Sequence, residues 1–137
     1  MHVVLELSAR AFLVITDDQL PVHVGLRYSS AEPFAVHLEF PPHITLDGTS
    51  ATWTFARVLL EEGLKHPAGI GEVRVAPRGR KDTSVELHSE LGVAMLHFDT
   101  QDLRHFLSRT YMVVEPGTET MAPELDFDLA AIYGGQA

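Results

Sequence analysis

The chain has 137 residues, with 10 Lys and Arg against 19 Asp and Glu, for a formal charge of −9. That length suits a single domain over residues 1–137 with a core that needs no staples, and the absence of cysteine excludes disulfides, zinc–thiolate sites, iron–sulfur clusters and thiol nucleophiles. No uncharged run approaches the roughly 20 apolar residues of a membrane-spanning helix. Residues Met1 to Glu6 lack a basic patch and carry Glu6 inside their apolar stretch, so no signal peptide and no membrane insertion are expected, and the protein should be cytoplasmic. A net acidic chain also disfavours nucleic acid, because its own field opposes phosphate.

The first third has strand patterning. Val3, Leu5 and Leu7 alternate, Phe12 to Ile15 is a continuous apolar run, and Asp17-Asp18-Gln19 supplies a turn. Val22, Val24, Leu26 and Tyr28 keep strict period two, as do Phe34, Val36, Leu38 and Phe40. Pro41-Pro42 stops the latter strand. Ile44 and Leu46 suggest a short strand, and Thr52 to Phe55 another. The period then lengthens. Phe55, Val58, Leu59 and Glu62 predict a helix over about 55–62, with Gly63 as a left-handed cap. Val73 and Val75 predict a strand ending at Pro77, and Arg78 to Asp82 an exposed turn. Val85 with Leu87, and Val93 with Met95, predict the next two strands across a Leu91-Gly92 turn. Leu103, Phe106, Leu107 and Tyr111 predict a helix capped by Asp99 or Thr100. Pro116-Gly117 breaks the chain, and a third helix is expected over about 123–133. This order predicts an α+β fold with antiparallel β-sheets and about three helices.

No catalytic residue emerges from motif spacing. Gly69-Ile70-Gly71 lacks the third glycine of a dinucleotide fingerprint and leads into a strand instead of a helix. Eight histidines invite a metal reading. None pairs at helical spacing beside a carboxylate, and His23, His37, His88 and His97 are expected on solvated strand faces. No metal ligand or cofactor-binding residue is assigned. Arg74, Arg78, Arg80 and Lys81 form one basic cluster, expected as a solvated hairpin tip. The last 23 residues carry five acids and no base. Within them Phe127 falls on the helix face opposite Leu125, Leu129 and Ile132. It either packs ahead of the helix or stands outward, and Phe127 with Glu124, Asp126 and Asp128 is the candidate partner-binding set. Tyr28, Trp53 and Phe127 are large aromatics for one small core, which motivates a homo-oligomer.

Several segments together resemble the SsgA-like family of actinomycete sporulation and cell-division proteins, most closely its SsgB branch. They are Leu20 to Tyr28, Glu32 to Val36, Trp53 to Leu64, Pro67 to Val75, Phe106 to Thr110 and Pro116 to Glu119. Departures are Glu72 where the family usually has Asp, Ala76-Pro77 where it often has Trp-Pro, and the segment Pro41 to Ser50. The resemblance implies a non-enzymatic role at the division septum, helping to bring the tubulin-like protein FtsZ to septum sites, with SsgA-like paralogues as further partners. It also implies a whirly-like fold of two antiparallel sheets, associating into a closed oligomer such as a trimer. Whirly proteins bind single-stranded nucleic acid, which is the rival function.

Overall fold

Residues 2–45 and 47–119 are described by the computed structural model. Its first strand, β1 (Val4–Ile15), is one unbroken run of twelve residues. The two apolar pieces of the sequence are joined by Ala9 and Ala11, whose small side chains keep the inner parity and are buried. A two-residue turn follows, in which Thr16 takes φ 51° as such tight hairpins require. The strand β2 (Asp18–Ser29) then pairs with β1 along its whole length, from Ile15 opposite Asp18 to Val4 opposite Ser29.

Next come β3 (Ala35–Phe40) and β4 (Ala51–Ala56), joined by a segment that begins with a 3₁₀ turn, Pro42–Ile44. That turn replaces the short strand expected at Ile44. Pro41 and Pro42 lack ladder donors, and their carbonyls instead accept from the amides of Ile44 and Thr45. The helix α1 (Arg57–Gly63) follows β4 directly. The strands β5 (Val73–Arg78), β6 (Asp82–Ser89) and β7 (Gly92–Asp99) form a meander. The strand β5 runs through Pro77, which an edge strand tolerates. The helix α2 (Thr100–Val113) starts at Asp99, whose carboxylate accepts from the Gln101 amide at 2.8 Å.

All strand pairs are antiparallel, in the order β4-β3-β2-β1-β7-β6-β5. The α+β antiparallel expectation therefore holds. The described residues form one continuous sheet where two were expected, and two α-helices. The third expected helix, over 123–133, lies outside the described residues. The sheet consists of two arms, β4-β3-β2-β1 and β7-β6-β5, joined where Ala11 to Leu13 pair with Leu96 to Phe98. It curls so that residues of β3 and β4 face residues of β6 and β7 across a groove.

Register places the β1–β2 turn, the β3–β4 connection and the β6–β7 turn at one end of the curl. Both helices serve the other end. The helix α2 lays Leu103, Phe106 and Leu107 against β1, β2 and β7. The helix α1 spans from β4 to β5 and so links the two outer strands of the sheet. Ala68 also exchanges two backbone hydrogen bonds with Val75, at 2.8 and 3.0 Å, which covers part of the β5 edge.

Gly63 corrects one expectation. It is the last helical residue and does not take a positive φ. Glycine is needed there because a Cβ would stand 2.3 Å from Val75 Cβ. The helix lies directly on β5, and only a missing side chain allows it. Gly63→Ala should therefore destabilise the fold by about 1–3 kcal/mol through overpacking. Helix propensity alone would give a gain of about 1 kcal/mol. Urea unfolding distinguishes the two signs.

Candidate functional site

Of the residues singled out from sequence, Glu124, Asp126, Phe127 and Asp128 lie outside the described residues. Tyr28 is no surplus aromatic. It is fully buried in the core, its hydroxyl donates to the Pro33 carbonyl at 2.9 Å, and the Arg57 guanidinium sits 5.1 Å from its ring. Trp53 is half-buried and lines the groove. The basic hairpin Arg78 to Lys81 is exposed as expected, with Arg78 reaching Asp82 at 3.5 Å.

Two of the strand-face histidines are buried, contrary to expectation. His37 sits between its cross-strand neighbours Arg27 and Thr54 and is 4% exposed. Its Nδ1 is 2.7 Å from Thr54 Oγ1, while its Nε2 finds no hydrogen-bond partner, the nearest Glu32 oxygen being 3.5 Å away. His97 is flanked by Phe12 and Ser84. Outward parity held for His37, but at both positions the neighbouring side chains exclude water. Burial pushes both imidazoles below the ordinary histidine range, and Arg27 and Arg78 add to the effect on His37 and His97 respectively. The neutral form is thus favoured by folding. Stability should be full above the unfolded-state value of about 6.5. It should fall as pH drops below that and level off beneath the lowered native values. Urea unfolding between about pH 7.5 and 5 should show this slope, and His37→Gln should flatten it.

A groove of about 460 Å³ lies at the open end of the curl. Leu13 of β1 and Leu96 of β7 lie on its wall at the seam between the arms. Phe40, Ile44, Ala51 and Trp53 line one side. Leu87, Leu91, Val93 and Ala94 line the other. Period two explains the strand contributions. Leu13, Phe40, Trp53, Leu87 and Leu96 carry the inner parity of their strands past the point where the helices fill the curl. Leu91 and Val93 flank Gly92, whose φ of 131° makes the turn, and they are 81% and 60% exposed.

The rim of this groove is acidic. Asp47 lies on it, and Glu90 sits between the lining residues Ser89 and Leu91. Asp17 and Asp18 occupy the β1–β2 turn at the same end. All four are exposed. The three segments 13–20, 40–53 and 87–96 contain no Lys or Arg. Asp47 accepts from the Thr49 amide at 3.0 Å and its hydroxyl at 2.8 Å. These bonds hold its carboxyl below the usual range, so it stays ionised. Sequence reasoning missed this site. The available signal was Leu91 and Val93, two large apolar residues at a hairpin tip where polar ones are the rule.

The family profile described as "Streptomyces sporulation and cell division protein, SsgA" matches residues 22–119. Sporulation-specific cell division protein SsgB of Streptomyces coelicolor is 42% identical over 123 residues, covering 88% of this chain and 88% of that protein. SsgB of Salinispora tropica is 44% identical over 131 residues, covering 92% and 89%. Among solved structures, an SsgA-like sporulation-specific cell division protein from Thermobifida fusca superposes with a TM-score of 0.79 at 30% identity, covering 95% of this chain and 96% of that one. A structure from work linking SsgB mutations to longitudinal cell division in Streptomyces coelicolor gives 0.77 at 38% identity, covering 87% and 94%. The chain belongs to the SsgA family of sporulation and cell-division proteins.

Proposed function

We propose that this protein is a non-enzymatic, sporulation-specific cell-division protein that helps position the septum by recruiting other division proteins. The observation that carries this reading is the match to SsgB relatives over nearly the whole chain. An apolar groove with exposed Leu91 and Val93 on its border supports it, since such a surface suits protein contact. FtsZ is the first candidate partner and SsgA-like paralogues the next. On this reading the protein works in the cytoplasm at the division septum. Among the described residues no helix is long and apolar enough to cross a membrane.

Single-stranded nucleic-acid binding fits the charge distribution poorly. The open groove has Asp47 on its rim and Glu90, Asp17 and Asp18 in the turns at the same end, and these charges would repel phosphate there. The Arg78 to Lys81 hairpin includes no aromatic side chain on which a base could stack.

Expression of this chain in a Streptomyces coelicolor strain lacking its own SsgB tests the reading. Regular sporulation septa should return. An expressed, folded chain that leaves the aerial filaments undivided would count against it. The proposal also carries a whirly-like arrangement and a closed homo-oligomer, with a trimer as the expected ring. Light scattering at micromolar concentration should report a small multiple of the chain mass, and a monomer throughout overturns that part.

A further inference from the structure

We infer that the groove at the open end holds a basic-flanked apolar segment of a protein partner, in which large Leu- or Phe-type anchors are bordered by Lys and Arg. The inference rests on the reading of this chain as a protein that recruits other proteins. It adds the chemistry of what is recruited.

Two observations on the same surface carry it. The first is shape and polarity. A concavity of about 460 Å³ between the two arms is walled by Leu13, Phe40 and Trp53, with Leu91 and Val93 projecting at its border. That volume takes two or three large side chains, and burying them is the main source of affinity in a segment-in-groove contact. The second is charge. Asp47 lies on the rim, Glu90 sits between the lining residues Ser89 and Leu91, Asp17 and Asp18 occupy the β1–β2 turn at the same end, and the segments that build the groove contain no Lys or Arg. Rim charges of one sign select partners of the other sign and speed their encounter.

The same charges decide against other occupants. The chain's own residues 120–137 carry Glu124, Asp126 and Asp128 and no base, so they meet an unfavourable field at the rim. Two copies meeting groove to groove oppose four carboxylates with four more. The basic hairpin of a second copy, Arg78 to Lys81, has the right charge but no large apolar anchor between its basic residues. An external segment with both properties satisfies both observations.

Trp53 is the only tryptophan of the chain and lines the groove, so its emission reports occupancy. The full chain is titrated with a short tryptophan-free peptide in which Leu and Phe alternate with Lys and Arg, and separately with a peptide of residues 120–137. The basic peptide should shift Trp53 emission saturably and bind at least about tenfold more tightly than the acidic one, with added salt weakening it. Glu90→Lys and Val93→Glu alter exposed side chains for which the fold has little use. Each should weaken binding about tenfold while leaving the unfolding midpoint unchanged.

No saturable shift up to millimolar basic peptide overturns the inference. So does equal or tighter binding of residues 120–137, which makes the chain's own segment the occupant. Self-association that Glu90→Lys or Val93→Glu abolishes makes a second copy the occupant, and likewise overturns it. The septation assay keeps the two readings apart. If the native chain restores septa and the Glu90→Lys and Val93→Glu variants restore them equally, the groove inference fails and the recruiting role stands. If the native chain itself fails to restore septa, the recruiting role fails, while the peptide titration still decides the chemistry of the groove.

Discussion

A single buried guanidinium holds the closed end of this molecule together. Arg57 is 2% exposed, at the point where β4 becomes α1. Its Nη1 donates to the carbonyls of Thr110 and Val114 at 3.2 and 2.8 Å, and its Nη2 to Glu119 Oε2 at 2.6 Å. The aromatic rings of Tyr28 and Tyr111 lie 5.1 Å from its guanidinium carbon. One side chain therefore ties β2, the β4–α1 junction, the end of α2 and the segment that follows it. The Thr110 carbonyl already accepts from the Val114 amide at 2.9 Å, so Arg57 adds a second donor there and also serves the Val114 carbonyl beyond the helix. Glu119 responds in kind, its carboxyl held below the usual range by Arg57. Removing the guanidinium deprives the Val114 carbonyl and the Glu119 carboxylate of their donor, a loss of about 1–3 kcal/mol, since Glu119 retains contact with water. Lysine is no substitute, since one ammonium lacks the planar fork that reaches three acceptors between two rings.

That clasp explains why the two ends of the curl differ. At the helical end Arg57 and the buried Thr83–Thr100 hydroxyl pair, 2.8 Å apart, fix α1 and α2 to the sheet. Apolar parity there meets helix side chains and becomes core. At the other end the same parity continues along β1, β3, β4, β6 and β7 with no helix among the described residues to meet it, and the result among them is a groove. The groove is thus a consequence of strands longer than the helices that fill them. Its chemistry comes from the turns, which carry carboxylates where the helical end carries most of the basic side chains.

The alternation of β2, β3 and β6 and the helical period of Leu103, Phe106, Leu107 and Tyr111 were legible in the sequence, because each depends only on neighbours a few residues away, whereas in β7 Val93 and Met95 suggested one parity and the structure buries the other, Leu96 and Phe98. The cap at Asp99 was legible for the same reason. Three things were not. Gly63 was marked as special, but the steric demand comes from Val75, twelve residues on, and no local pattern contains it. His37 had the correct parity, yet its burial and that of His97 are set by cross-strand neighbours, Arg27, Thr54, Phe12 and Ser84, that only the register brings together. The groove is assembled from five strands and two connections, so nothing in any one of them announces it. The family was legible from the segment Trp53 to Leu64 and its companions, and that segment contains Arg57, Gly63 and the groove residue Trp53.

The seam between the two arms is only three residue pairs long, Ala11 to Leu13 against Leu96 to Phe98, whereas β1 and β2 pair over twelve positions. The seam continues directly into the groove wall at Leu13 and Leu96. The sheet is therefore stiff within each arm and weakly laced between them. With the far end fastened by the helices, these three pairs are the sheet's own link between one arm carrying Trp53 and the other carrying Val93 on either side of the groove. Phe40, Leu87 and Leu96 belong to both the groove wall and the core, so what enters the groove rests directly on the packing that holds the two arms together.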